Sequence, residues 1–280
     1  MPQAPRHRFL QVRGVRLHVV EMGEGDPPIV LLHGSPGQYT NWRYVAECLS
    51  SRHRVVAYDQ RGYGRSDKPV HVTLQDYIDD LDAVMSALGL EPQRTVLVGH
   101  SFGAVVALEY AARKPVYRLV LVSPVYRYRA DFIDKLVSRL PPLFWRRLFF
   151  TDNPFTRSLY RRVFFSPRTP GYVYEEFIED NAEYISSLPP HVFRYLSMML
   201  NGYTAEEAAR RVRSPTLIIV GGDDRVTPPS EAEKLQRIIP GARMALIPCA
   251  GHMILYEKPT ALCTEIEWFI EGKGPYEAAS

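Results

Sequence analysis

Gly99-His100-Ser101-Phe102-Gly103 is a Gly-x-Ser-x-Gly pentapeptide, a spacing of residue types that could do chemistry. A serine on a sharp turn between a strand and a helix lifts its hydroxyl above a sheet. Glycines two residues to either side leave room where side chains would collide. A neutral hydroxyl is a poor nucleophile; it needs a base, and the base needs an orienting carboxylate. Two later loops offer these groups. Gly221-Gly222-Asp223-Asp224-Arg225 follows one apolar run, and Ala250-Gly251-His252 follows the next. The chain order serine, acid, histidine is one that such strand-to-helix turns use. His252 is the last histidine, whereas His191 reads as a surface or cap residue. Asp224, four residues beyond Val220, is expected to be the acid, with Asp223 capping the turn.

Acyl transfer through a tetrahedral intermediate also needs N–H donors aimed at the developing oxyanion. His33-Gly34-Ser35-Pro36-Gly37 follows the apolar run 29–32 and can supply one. The expected pair is the backbone N–H of Ser35 and that of Phe102. Ser35 carries a hydroxyl as well, whose part the sequence does not decide.

These loops must be held by a sheet. Residues 9–12 and 16–22 read as a hairpin around Arg13-Gly14. Short apolar runs at 29–32, 55–58, 95–98 and 119–122 then alternate with helical patterns. Thr73 with Asp76 forms a capping-box start for a helix whose apolar residues run from Leu74 to Leu88, and Gly89 closes it. Continuous apolar strands alternating with helices predict an α/β chain with a mostly parallel sheet covered on both faces. The rhythm stops after Ser123 and resumes with a strand at 216–220, a helix at about 230–239, a strand at 244–247 and a final amphipathic helix after Pro259. The expected organisation is core at 1–124, a helical cap at 125–212 inserted after the sixth strand, and core again at 213–280. The insert is rich in Phe, Tyr, Pro and Arg. In open α/β sheets ligands bind beyond the carboxyl ends of the strands, where such an insert would sit.

Composition narrows the function classes. The chain has 280 residues, 46% of them hydrophobic and 23% charged, with a net charge of +3. That is an ordinary globular balance and gives no reason to expect nucleic acid as a partner. No run is long enough to span a bilayer, and no signal peptide is expected. Three cysteines, Cys48, Cys249 and Cys263, are an odd number without a Cys-x-x-Cys pair. They predict no disulfide framework and a cytoplasmic setting. Neither metal-ligand spacing nor a phosphate or dinucleotide fingerprint occurs, so no metal and no cofactor are expected.

With these motifs in place, the sequence resembles the α/β-hydrolase superfamily over residues 9–270. The likeness rests on His33-Gly34-Ser35-Pro36-Gly37, on Asp59-Gln60-Arg61-Gly62-Tyr63-Gly64-Arg65-Ser66-Asp67, on the serine pentapeptide, and on Asp224 and Gly251-His252. The front half, with Asn41-Trp42-Arg43, looks most like the branch of haloalkane dehalogenases and epoxide hydrolases. That branch uses an aspartate nucleophile, and this chain has Ser101 instead. A serine ether could not be hydrolysed by the same route, so the resemblance implies acyl chemistry: a serine esterase working through an acyl-enzyme. A thioesterase, a carbon–carbon-bond hydrolase or a cofactor-free perhydrolase could use the same triad. A hydrolase-like binding protein without catalysis is the reading from another class. Asp59, Arg61 and Ser66 are expected to brace the sheet edge.

Within the insert, Leu140-Pro141-Pro142-Leu143-Phe144-Trp145-Arg146-Arg147 alternates aromatic and basic residues. Two readings stand: a lid that meets a membrane surface or an acyl chain, and a cap helix burying its aromatics on the core. Either way the expected partner is a small hydrophobic ester or acyl substrate. Trp145, Met198, Met199 and Tyr203 are the candidate pocket residues.

Overall fold

The computed structural model describes residues 4–128, 153–189 and 191–273, without the side chains of 193, 197 and 198. Among the described residues one sheet of eight strands runs in the order β1-β2-β4-β3-β5-β6-β7-β8. The first two strands, β1 (Arg6–Val12) and β2 (Val15–Met22), form the expected hairpin, and β2 pairs antiparallel with β4 (Val55–Tyr58). From there the pairing is parallel through β3 (Ile29–Leu32), β5 (Val96–His100), β6 (Arg118–Val122), β7 (Thr216–Gly221) and β8 (Arg243–Ile247).

The apolar runs are buried on both faces because successive side chains point to opposite sides of a strand. In β3, Val30 and Leu32 join one core cluster while Ile29 and Leu31 join the other. The first cluster includes side chains of α2 (Leu74–Ala87) and α3 (Phe102–Ala111). The second includes those of α1 (Arg43–Leu49) and α10 (Pro259–Ile270). The start of α2 follows from its sequence: the Thr73 hydroxyl accepts the Asp76 N–H, and the Asp76 carboxylate accepts the Thr73 N–H at 2.9 Å.

Between β6 and β7 the chain forms α4 (Pro154–Phe164), α5 (Gly171–Ser187), α6 (Tyr195–Leu200) and α7 (Glu206–Arg211). The last of these packs on α3 and on α8 (Pro229–Ile238). A short helix, α9 (Ile254–Glu257), precedes α10. Trp145 and the whole aromatic–basic stretch around it lie outside the described residues, as does the Met198 side chain. No helix among the described residues is long and apolar enough to cross a membrane.

The cysteine expectation is corrected. Cys48 on α1 and Cys263 on α10 are disulfide-bonded across 215 residues of sequence, and Cys249 alone is free. Spacing could not reveal the pair, because only the docking of the last helix against the first brings the two together. Such bridges persist in oxidising surroundings, so the cysteine argument for a reducing compartment falls away.

Candidate active site

The site assembles at the carboxyl ends of four parallel strands. Ser101 sits between β5 and α3 with φ 53° and ψ −115°, a backbone conformation that a non-glycine residue adopts only under constraint. Its N–H donates to the Val122 carbonyl at 2.9 Å, and its carbonyl accepts from Ala104 at 2.9 Å, so both neighbours hold the turn. The glycines are required by contact. A Cβ at Gly99 would stand 2.2 Å from the Gly103 carbonyl oxygen, and one at Gly103 would stand 2.3 Å from that of Leu32. Phe102 opens α3, so its N–H is among those that no carbonyl within the helix can accept.

His252 lies in the loop after β8. Its Nε2 is 3.0 Å from Ser101 Oγ, and its Nδ1 is 2.9 Å from Asp224 Oδ2. A carboxylate accepts only, so Nδ1 carries the proton and Nε2 presents its lone pair to the serine hydroxyl. Asp224 is buried. Burial alone would push its carboxyl up, but His252 and hydrogen bonds including the Thr227 N–H hold it below the ordinary carboxylate value. Its Oδ1 accepts the N–H groups of Val226 and Thr227, each at 2.9 Å, and the Thr227 hydroxyl donates to Oδ2 at 2.9 Å. The sequence reading missed Thr227, although its place three residues past an aspartate is the spacing of a local side-chain-to-backbone turn.

Two further histidines brace the site. His100 Nε2 donates to the His252 carbonyl at 2.9 Å, and burial with the neighbouring His252 drives its pKa down to about 3, so it is neutral. His33 Nδ1 donates to the Gly34 carbonyl at 2.7 Å, and its Nε2 accepts the Gln60 N–H at 3.0 Å. Burial lowers its pKa too. The loop after β3 is thereby held close to the serine: a Cβ at Gly34 would lie 3.2 Å from Ser101 Cβ. Ser35 is part of the same cavity wall, and its Oγ is 2.7 Å from the buried Tyr63 hydroxyl.

The expected sheet brace is present. Asp59 accepts the Tyr39 N–H at 2.7 Å and the Arg65 N–H at 2.9 Å, and pairs with His18 Nδ1 at 2.8 Å. Ser66 donates its hydroxyl to the Asp59 carbonyl at 2.5 Å, and Arg61 grips Asp80 with two contacts of 2.6 Å.

Beside Ser101 the described cavity has an aromatic and aliphatic wall of Tyr160, Phe164, Phe177, Ile185 and Met253. Two expected pocket residues are elsewhere: Met199 and Tyr203 pack against the core cluster that contains α2 and α3, and they do not line this cavity. Both follow α5 on the way back to the sheet and are partly buried against that cluster. The wall instead comes from α4 and α5. The insert also meets the histidine loop directly, since Met253 donates its N–H to the Phe164 carbonyl at 3.0 Å. A Cβ at Gly251 would stand 2.7 Å from that same oxygen, which explains the glycine before His252.

A hydrogen-bonded serine–histidine–aspartate chain stands at the strand ends of this sheet, and the sequence matches the alpha/beta hydrolase fold family over residues 27–259. The chain belongs to that family. Among its relatives, a 2-hydroxy-6-oxo-2,4-heptadienoate hydrolase of Pseudomonas putida is 29% identical, with 90% of this chain and 91% of the relative covered. Epoxide hydrolase A of Mycobacterium tuberculosis is 28% identical over 96% of this chain and 98% of its own length. A thermophilic esterase from Thermogutta terrifontis superposes with a TM-score of 0.80 at 26% identity, covering 95% of this chain and 98% of that one. Family and relatives together make this α/β hydrolase a hydrolytic enzyme.

Proposed function

We propose that this α/β hydrolase is a serine esterase that cleaves carboxylic esters of an apolar acyl group through an acyl-enzyme. The observation that carries the reading is the continuous chain from Ser101 Oγ to His252 Nε2 at 3.0 Å and from His252 Nδ1 to Asp224 Oδ2 at 2.9 Å. His252 takes the Ser101 proton as Oγ attacks the ester carbonyl, and returns it to the departing alcohol. Water, deprotonated by the same His252, then releases the acid and restores Ser101. The N–H groups of Ser35 and Phe102 hold the oxyanion in both steps. Asp224 keeps the imidazole in the required tautomer and stabilises the imidazolium.

Ser101 also weighs against ring opening of an epoxide by this chain, despite its epoxide hydrolase relatives. A carboxylate nucleophile leaves an ester that water can cleave, whereas a serine would leave an ether. The Pseudomonas putida relative, a 2-hydroxy-6-oxo-2,4-heptadienoate hydrolase, favours a second reading, carbon–carbon-bond hydrolysis on the same triad. Insert and core are read as a cap over a catalytic domain, with a small apolar acyl substrate as the partner.

A fluorophosphonate probe followed by a panel of p-nitrophenyl esters tests the proposal. Expected are stoichiometric labelling at Ser101, ester turnover, and a loss on the order of 10⁶ in kcat for Ser101→Ala. An unlabelled Ser101, or a variant keeping more than a tenth of the turnover, would overturn it.

A further inference from the structure

Helix α5 of the insert carries polar residues at Glu176, Asp180, Asn181 and Tyr184, spaced so that all four fall on one face. Each of them is bonded to the short segment that runs from the loop after β3 into α1. Arg43 donates to Glu176 at 2.5 Å and to Asp180 at 2.6 Å. Asn41 Nδ2 donates to Asn181 Oδ1 at 2.9 Å. Tyr184 is the last contact, and it reaches the loop that carries Ser35. Its hydroxyl donates to the Gly37 carbonyl at 2.8 Å and accepts the Gly64 N–H at 3.0 Å. One phenol therefore ties together the loops that leave β3 and β4.

We infer that Tyr184 is a positioning residue through which the insert sets the place of the oxyanion donor at Ser35, so that α5 governs turnover and is more than a wall of the cavity. The inference rests on the ester-hydrolase reading above. The physical reason is the tightness of the loop. Gly34 lies against Ser101, where a methyl group would crowd His100 Nδ1 at 3.1 Å and Ser101 Cβ at 3.2 Å, and Ser35 follows it, two residues before the carbonyl that Tyr184 holds. A donor of this kind is effective only when it already stands where the oxyanion will form. Misplacement by an ångström costs about 10² in rate. His33 and Tyr63 hold the start of this loop, and at Gly37, which offers no side chain, the hold comes from a helix inserted more than a hundred residues later.

Tyr184→Phe deletes the hydroxyl and keeps the ring. The test is steady-state hydrolysis of a p-nitrophenyl ester by wild type and variant, with inhibition by a trifluoromethyl ketone, whose hydrated or serine-bound oxygen occupies the oxyanion position. Expected is a fall in kcat on the order of ten-fold, within the ~10² that such misplacement can cost. KM should stay within about two-fold, and ketone affinity should weaken by the same factor as kcat/KM. Circular dichroism and fluorophosphonate labelling of Ser101 should be retained, which separates mispositioning from misfolding. An unchanged kcat, or a rise in KM alone, would show that α5 only covers the cavity and would overturn the inference. A Tyr184→Phe protein that fails to fold sends the test to Tyr184→His, whose shorter ring keeps a polar edge but cannot span both Gly37 and Gly64; the same fall in kcat is expected, and an unchanged kcat would overturn the inference. A wild type that takes no label and cleaves no ester would sink the ester-hydrolase reading instead, a result distinct from a labelled, active enzyme indifferent to Tyr184→Phe.

Discussion

The carboxylates of Asp223 and Asp224, adjacent in the chain, part in opposite directions: Asp224 Oδ2 meets His252 Nδ1 at 2.9 Å, and Asp223 Oδ2 accepts the Ser166 hydroxyl at 2.6 Å. One aspartate meets the histidine, and the other fastens the turn that follows α4. Glu257 reinforces the second link. It accepts the Gly251 N–H at 2.8 Å and the Ser166 N–H at 2.7 Å, with the Thr169 hydroxyl as a third donor. The insert is thus tied to the loop after β7 by Asp223 and to the histidine loop by Glu257.

This divergence separates the two aspartates kinetically. Asp224→Asn should lower kcat by roughly 10⁴, because an amide in that place supports the wrong imidazole tautomer. Asp223→Asn leaves Asp224 and His252 untouched and should cost less than about ten-fold by the same argument. Parallel kcat measurements on one ester check this, and a reversed order would reassign the acid.

Stability should depend on the Cys48–Cys263 bridge, which staples α10 to α1. Removing a cross-link over so long a loop releases chain entropy in the unfolded state, worth about 2–4 kcal/mol. A thermal melt with and without dithiothreitol should show a lower Tm on reduction, and Cys48→Ser with Cys263→Ser should match the reduced wild type. Equal Tm values would mean that helix packing alone holds this edge.

Acid should destabilise the fold through His100. Its folded pKa of about 3 lies below the 6.5 of an ordinary imidazole. Between those values the unfolded chain binds the extra proton, so stability is full above about 6.5 and is lost as pH falls. At pH 5 the loss from this one group is on the order of 2 kcal/mol. His33, also lowered by burial, acts with the same sign. Asp224 contributes only at still lower pH, where its carboxylate is protonated. Urea unfolding at pH 7.5 and pH 5 should show the difference, and His100→Gln should reduce it. A His100→Gln protein with an undiminished pH dependence would place the titration elsewhere.

Much of this enzyme was legible in its sequence, and the reason is local. The strands at 29–32, 55–58 and 119–122 are runs whose side chains are all apolar, and a run that short and that apolar is stable only inside a two-faced sheet. The glycines around Ser101 and the capping box at Thr73 are written in residues a few positions apart. The same is true of the order Ser101, Asp224, His252, because each follows a strand that ends at the same edge of the sheet.

What only the tertiary structure decided are pairings between segments that the sequence keeps far apart. Whether Asp223 or Asp224 faces His252 depends on the turn after β7, and a one-residue step there swings a carboxylate to the other side. The Cys48–Cys263 bond depends on α10 docking against α1. Among the described residues, Tyr160, Phe164 and Phe177 form the apolar wall beside Ser101 while Met199 and Tyr203 pack on the core, because helix packing in the insert decides which aromatic residues face the serine. Tyr184 and Gly37 are joined across 147 residues. Hydrophobic periodicity sorts residues onto faces of an element, but it carries no record of which face meets which.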